Sequence, residues 1–225
     1  ILRGLEQEKE GTIAKSALEI IERNIDLAKR KSQPICQDTG SILFYIDCPV
    51  GLDQVEFEQE ARDAVKEATR LGYLRQNSVD SITGKNDGTN LGPGSPNLHF
   101  HQHASDDIDV RLVLKGGGCE NVGAQFSLPN TPLEANRDLD GCRKVILEAV
   151  HQAQGRGCGP GVLGVCIGGD RASGYEFSKR EFLRKLDDRN PDPKLDELEH
   201  DILSTANELG IGPMGFGGKT TLLGV

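Results

Sequence analysis

Apolar residues fall at helical spacing early in the chain, at Ile13, Ala17, Ile20, Ile21, Ile25 and Ala28. The pattern predicts an amphipathic helix from about Leu5 to Lys31 that delivers the chain to Pro34. Ile42 to Cys48 reads as a strand, stopped by Pro49 and Gly51. Phe57, Ala61, Ala64, Val65 and Ala68 mark a second helix, with Gly72 as its C-terminal cap. Leu98–Ala104 and Ile108–Leu114 alternate like strands, and Ser105-Asp106-Asp107 between them suits a hairpin turn. Cys142, Val145, Ile146, Ala149, Val150 and Ala153 form a third helical face, broken by Gly155, Gly157 and Gly159. Val162–Ile167 reads as a short buried strand. Two further helices are predicted over about Arg171–Leu186 and Lys194–Leu209, separated by Asn190-Pro191-Asp192-Pro193, with Gly210 capping the second. The sum is a helix-rich α/β (α+β) single domain over residues 1–225, with a small mixed or antiparallel sheet.

The 225 residues carry a formal net charge of −9. That charge gives a nucleic-acid role no electrostatic support, and an anionic substrate would need a local basic pocket. No apolar stretch approaches the roughly 20 residues that span a bilayer, so no membrane partner is expected. Ile1-Leu2-Arg3-Gly4 is not a signal peptide. With no initiator Met, the chain reads as beginning inside a longer natural sequence. Six cysteines, at 36, 48, 119, 142, 158 and 166, are dispersed without short pairings. Without a secretion signal, buried thiols or metal ligands are better readings than a disulfide framework, and a cytoplasmic location is expected.

Cys36-Gln37-Asp38-Thr39-Gly40 is the densest run of chemistry: a soft metal ligand, an amide, a carboxylate, a hydroxyl and a turn-forming glycine on a loop entering a strand. Alone, it reads most simply as a turn with a buried cysteine. Cys158, in Gly157-Cys158-Gly159-Pro160, has no packing pattern to explain it. Thiols on glycine- and proline-flanked loops suit iron–sulfur ligation. Cys48 and Cys166 lie in expected strands and Cys142 on an apolar helical face, which makes them core thiols; Cys119 stays ambiguous. Arg75 follows a helix stop, where a guanidinium could fork onto a carboxylate or simply face solvent. Lys115-Gly116-Gly117-Gly118 gives a bulge or tight turn, or a backbone that approaches an anion closely. His99, His101 and His103 share one strand face, which could bind zinc but reads better as solvated histidines. Gly217-Gly218-Lys219-Thr220 looks like the end of a phosphate loop, but Pro213 stands where the motif needs glycine, so nucleotide binding is rejected.

Cys36–Gly40, Gly72-Tyr73-Leu74-Arg75, Lys115–Gly118, Cys158-Gly159-Pro160 with Gly168-Gly169, and Gly210 through Gly218 occur in that order. Together they resemble class I (iron–sulfur) fumarate hydratase, in its N-terminal domain or alpha subunit, with the alpha subunit of L(+)-tartrate dehydratase as a close relative. The resemblance covers nearly the whole chain. It implies a [4Fe–4S] cluster held by three cysteines: Cys36, Cys158, and a third expected beyond Val225, so that the chain is truncated at that end as well. Cys119 is the alternative, since tartrate dehydratase can carry Cys there, whereas Lys115 leans toward fumarase. Gly159 departs from the family's usual proline after the second cysteine.

The resemblance further implies a hydro-lyase interconverting fumarate and L-malate. Gln37, Arg75 and the Gly118 backbone would hold substrate carboxylates, and Asp38 would supply or shuttle a proton. The remaining groups would come from a C-terminal domain or beta subunit, in a homodimer or heterotetramer, and residues 1–225 alone would be inactive. A non-catalytic iron–sulfur module is the alternative of another class.

Overall fold

The computed structural model describes residues 1–225. The protein is a helix-rich α+β chain with a small mixed sheet, as the hydrophobic pattern predicts. It divides into two compact units: Asn24–Gly117, and Ile1–Arg23 with Gly118–Val225.

In the Asn24–Gly117 unit, β1 (Ser41–Pro49) is the middle strand of three. It pairs in parallel with β2 (Asn97–His103) and antiparallel with β3 (Asp109–Lys115). Helix α3 (Gln54–Arg70) comes between β1 and β2 in the chain, and its Phe57 meets Phe100 of β2 edge-on at 5.8 Å. Asp53 caps α3 by accepting the amides of Val55 and Glu56. At the other end Gly72 has φ +80°, its N–H donates to Thr69 O, and Tyr73 N–H donates to Ala68 O. These two bonds make a Schellman cap, so Gly72 fills the role its position predicts.

The strands differ from expectation in pairing. β2 and β3 do not form a hairpin; each pairs with β1, on opposite sides, and residues 104–108 cross from one side to the other. The physical reason is burial. β1 has buried residues on both faces (Ile42, Leu43, Tyr45, Ile46, Cys48), which is the mark of a central strand. A β2–β3 hairpin would leave one edge of β1 unpaired inside apolar surroundings, which is costly.

In the other unit, α1 (Leu2–Gln7) and the first part of α2 (Ile13–Lys31) precede α4 (Gly117–Asn121), α5 (Leu139–Ala153), α6 (Arg171–Arg180) and α7 (Pro193–Glu208). Asp138, Asp170 and Asp192 cap α5, α6 and α7. Cys142, Ile146 and Val150 of α5 pack with Ile202 and Ala206 of α7 around Leu147 and Leu163. Burial pushes the Cys142 thiol above its ordinary pKa, as expected for a core cysteine. The run Val162–Ile167 is not a buried strand. Only β4 (Gly161–Val162) pairs, in parallel with β5 (Leu222–Gly224), and both Val162 and Ile167 are exposed. Cys166 is accordingly half-buried rather than sealed. β5 is short and is held mainly by Asn207 of α7, whose Oδ1 accepts the amides of Thr221 and Leu222, so it offers β4 little length to pair with.

The predicted helix from Leu5 to Lys31 is broken in two. Glu8 leaves α1 with extended backbone, and Gly11 turns the chain at φ +77°. The cause lies at the other end of the sequence. Glu8 is buried, and its Oε1 accepts Lys219 N–H at 2.7 Å and Thr220 N–H at 2.8 Å. The amides that made Gly217–Thr220 look like an anion loop thus hold an internal carboxylate.

Because one oxygen takes both amides, Glu8→Gln should keep most of this tie while Glu8→Ala leaves two donors bare. Urea unfolding should show Glu8→Ala less stable by about 1–3 kcal/mol, with Glu8→Gln losing clearly less.

Candidate functional site

The loop Cys36–Gly40 is fixed by a bond within itself and by bonds from two separate stretches of the Asn24–Gly117 unit, residues 75–77 and Gly117. Asp38 uses both carboxylate oxygens on backbone amides: Oδ1 accepts Gly40 N–H at 2.8 Å and Oδ2 accepts Gly117 N–H at 2.6 Å. Gly40 has φ +67°, and a Cβ there would lie 2.0 Å from Lys115 O, so only glycine fits. Thr39 is buried; its Oγ1 donates to Arg75 O at 3.0 Å and accepts Arg75 N–H at 2.7 Å. Asn77 accepts Thr39 N–H on Oδ1 at 2.9 Å and donates from Nδ2 to Gln37 O at 3.1 Å.

Behind this layer sits Asn90, 1 % exposed and with φ +60°. Its Oδ1 accepts the amides of Asn77 and Ser78, and its Nδ2 donates to Arg75 O and Thr69 Oγ1. One buried amide side chain therefore holds the segment that holds the cysteine loop. The long stretch from Thr83 to Asn97 is tied down in the same manner, by Asp80, Asn86 and Asp87 accepting nearby amides. Hydrogen bonds from Thr83 and Thr89 hold the Asp80 and Asp87 carboxyls below their ordinary range.

On this frame Cys36 is half-buried and its Sγ lies 3.4 Å from Gln37 Oε1. Gln37 and Arg75 are exposed. Arg75 donates from Nε to Cys36 O at 3.3 Å, which leaves its two terminal nitrogens without a protein acceptor. Gln37, Asp38 and Arg75 thus stand on the same hydrogen-bonded loops as Cys36. Of the histidines, His99 stacks on Tyr45 at 4.9 Å, and His103 accepts the amide of Ser105.

The remaining candidates lie in the other unit. Cys158 is exposed, on a loop tied to the C-terminal glycine stretch by Met214 N–H to Gly159 O and Gly161 N–H to Thr221 O. The glycines there are steric necessities: a Cβ on Gly155 would lie 2.6 Å from Gly215 Cα, and one on Gly212 would lie 1.7 Å from Gly217 O. Gly118, in α4, lines a cavity of about 370 Å³ with Asn121, Val122, Ala149, Gln152 and Arg156. Cys119, next to it, is half-buried. No disulfide joins the six cysteines.

A model of the fumarate hydratase (Fumerase) family matches residues 1–225. The chain belongs to that family. It is 52% identical over 228 residues to a protein of Geobacillus stearothermophilus provisionally named fumarate hydratase class I; the match covers 100% of this chain and 44% of that one. It is 33% identical over 218 residues to a protein of Methanocaldococcus jannaschii provisionally named L(+)-tartrate dehydratase subunit alpha, covering 95% of this chain and 75% of that one. It is 30% identical over 204 residues to the L(+)-tartrate dehydratase subunit alpha of Escherichia coli, covering 90% of this chain and 66% of that one. The chain therefore spans less than half the length of the first relative and about two thirds to three quarters of the alpha subunits.

The resemblance read from the motif order is thus the family the chain has. What the motifs did not reveal is the support. Asn77 and Asn90 lie in a stretch rich in Asn, Gly and Asp, where any asparagine looks like loop chemistry, and only the fold shows that these two reach the cysteine loop. Asn90→Ala should remove the acceptor for two amides. Urea unfolding should register a loss of about 1–3 kcal/mol, and alkylation of Cys36 should accelerate several-fold while that of Cys158 does not.

Proposed function

We propose that this fumarate hydratase family chain is the N-terminal or alpha part of an iron–sulfur hydro-lyase that interconverts fumarate and L-malate, working with a C-terminal domain or beta subunit. The observation that carries the reading is the family match along residues 1–225, joined to a loop that presents Cys36 with an amide, a carboxylate and a guanidinium on one frame. The donor set fits a [4Fe–4S] cluster. Cys36 and Cys158 are accessible thiols on loops pinned through their backbones, whereas Cys48 and Cys142 are sealed in a strand and a helix. Cys36 and Cys158 are the proposed ligands, with a third cysteine supplied from beyond Val225. When bound, such a cluster with one iron lacking a thiolate supplies a Lewis acid to the substrate's oxygen atoms.

The chain's own groups then have distinct tasks. Arg75 offers its two terminal nitrogens, one edge of a planar fork, to a substrate carboxylate and cannot give up its proton. Gln37 adds a neutral donor, and the Gly118 N–H a backbone one. Asp38 already spends one lone pair of each oxygen on an amide, so it holds or passes a proton with those that remain. The cysteines without a disulfide suit a reducing, cytoplasmic compartment. The tartrate dehydratase relatives favour a second reading in which L-tartrate is the substrate.

In the complete enzyme, Cys36→Ser and Cys158→Ser should each lose bound iron and sulfide after anaerobic reconstitution, while Cys48→Ser and Cys142→Ser keep both. Full iron content in Cys36→Ser would sink the ligand assignment. Anaerobic rates with fumarate and L-tartrate decide the substrate.

Asp38→Asn should lower kcat by about 10²–10⁴-fold if Asp38 handles a proton. It should also cost about 1–2 kcal/mol of stability, because an amide supplies one acceptor where the loop needs two. Arg75→Lys should instead raise KM, since a bidentate contact becomes a point charge. Near-native kcat in Asp38→Asn with its cluster intact would leave Asp38 the structural task alone.

A further inference from the structure

Glycines at 116, 117 and 118 leave the chain ahead of Cys119 without a side chain to anchor it, and α4, which begins at Gly117, is only 5 residues long. Neither a glycine backbone nor a helix of that length fixes its own direction. The direction comes from α6, through three contacts spaced four residues apart along that helix. Lys179 Nζ lies 2.7 Å from Glu120 Oε1. The Tyr175 ring lies against Gly123, where a Cβ would be 3.4 Å from Tyr175 Cε1. Gln125 Nε2 donates to Arg171 O at 2.7 Å. As the α6 residue falls from 179 through 175 to 171, its partner rises from 120 through 123 to 125, so the two segments run antiparallel along one helix face. The Lys179 and Glu120 side chains are only 23% and 26% exposed, so their attraction is screened less than that of a surface pair.

α6 is itself held in place. Gly168 and Gly169, at φ +93° and +77°, turn the chain into it, and Asp170 caps it by accepting the amides of Ala172 and Ser173. A Cβ on Gly164 would lie 2.1 Å from Ser178 O, so α6 rests directly on the backbone that leads away from Cys158. Residues 118–122 in turn touch the loop of Cys158: a Cβ on Gly118 would lie 3.6 Å from Arg156 O, and one on Gly157 3.2 Å from Val122 Cγ2. One helix therefore backs both the Gly118 segment and the stretch after Cys158.

We infer that Lys179 is a positioning residue: through Glu120 it sets the direction in which the Gly118 N–H meets a substrate carboxylate. The inference rests on the role proposed above for that N–H. It also gives the Gly168-Gly169-Asp170 turn a task, that of starting the helix that carries Lys179. Lys179 reaches Glu120 and not the substrate. A lysine that served stability alone would change resistance to unfolding and leave KM as it is. One that aims a binding donor changes KM first, because the donor holds the carboxylate alike in the ground state and the transition state.

In the complete enzyme, at iron and sulfide content matched to the unmutated protein, Lys179→Met should raise KM for the preferred acid, L-malate or L-tartrate, about 10-fold with kcat held within about two-fold. Lys179→Arg keeps the charge and should restore most of the loss. Gln125→Ala, an exposed change at the far end of the same contact, should move KM the same way by less. Lys144→Met breaks a pair on α5, with Asp140 at 3.1 Å, and should leave KM unchanged. Hydrogen exchange read by mass spectrometry should show the peptide over Gly118–Gln125 exchanging several-fold faster in Lys179→Met and not in Lys179→Arg. Faster exchange with KM unchanged would overturn the proposal and leave the hydro-lyase reading standing. Unchanged exchange in Lys179→Met, or an equal rise of KM in Lys144→Met, would overturn it too. Should Lys179→Met not fold, Gln125→Ala decides, and unchanged KM and exchange there overturn the proposal. An unmutated enzyme that turns over neither acid overturns the hydro-lyase reading itself, and the task of Lys179 with it, before any variant is measured.

Discussion

The Asp38 carboxylate is the constraint on which the cysteine loop depends. Its two oxygens bind the amides of Gly40 and Gly117, residues that stand just outside the paired ends of β1 and β3, where Ser41 faces Lys115. One side chain therefore closes the open end of an antiparallel ladder and, in doing so, fixes the backbone two residues after Cys36. The closeness of the two strands at that point explains Gly40, where a Cβ would collide with Lys115 O. It also explains why a carboxylate is needed. Two converging amides from different segments call for two separate acceptors on one short side chain, and Asp is the residue that supplies them without a donor of its own.

The same economy recurs elsewhere in the chain, with a polar side chain replacing regular backbone pairing. Asn90 satisfies two amides and one carbonyl in a segment without helix or strand. Asn207 serves Thr221 and Leu222 ahead of β5. Glu8 serves Lys219 and Thr220. Loops rich in glycine lose much conformational freedom on folding and have few side chains to bury. A buried side chain that takes two backbone groups at once gives such a loop one definite shape. That is why the glycine-rich stretches here carry their neighbours' cysteines on a fixed backbone.

Helices with a clear apolar face were legible in the sequence. α3 and α5 lie where the spacing of Phe57, Val65, Cys142 and Ile146 puts them, and α7 lies between the Asn190–Pro193 run and Gly210 as expected. Strand positions were legible too, but strand partners were not, because alternation along β2 and β3 says which face is apolar and nothing about which neighbour is adjacent. The break after α1 was illegible for a different reason: Glu8 answers to residues 219 and 220, and no local pattern encodes a partner at that separation. Of the candidate site, Cys36, Gln37, Asp38 and Arg75 were visible as a constellation because three lie within three positions and the fourth follows a helix stop. Asn77 and Asn90 were not, since their importance comes wholly from where the loop returns.

The way the units divide the chain has a consequence for synthesis. Asn24–Gly117 is one uninterrupted stretch, whereas the other unit draws on Ile1–Arg23 and on everything after Gly117. As the chain leaves the ribosome, the sheet and its Asp38 tie can be completed once Gly117 has emerged. The first residues must wait longest, because Glu8 finds its amides only when Thr220 is out. Until then a carboxylate destined for burial stays in water, and the amphipathic start of α2 keeps Ala14 and Leu18 uncovered. Residues 1–23 are made before the Asn24–Gly117 unit and secured after it, so they are the segment most in need of shelter on the nascent chain.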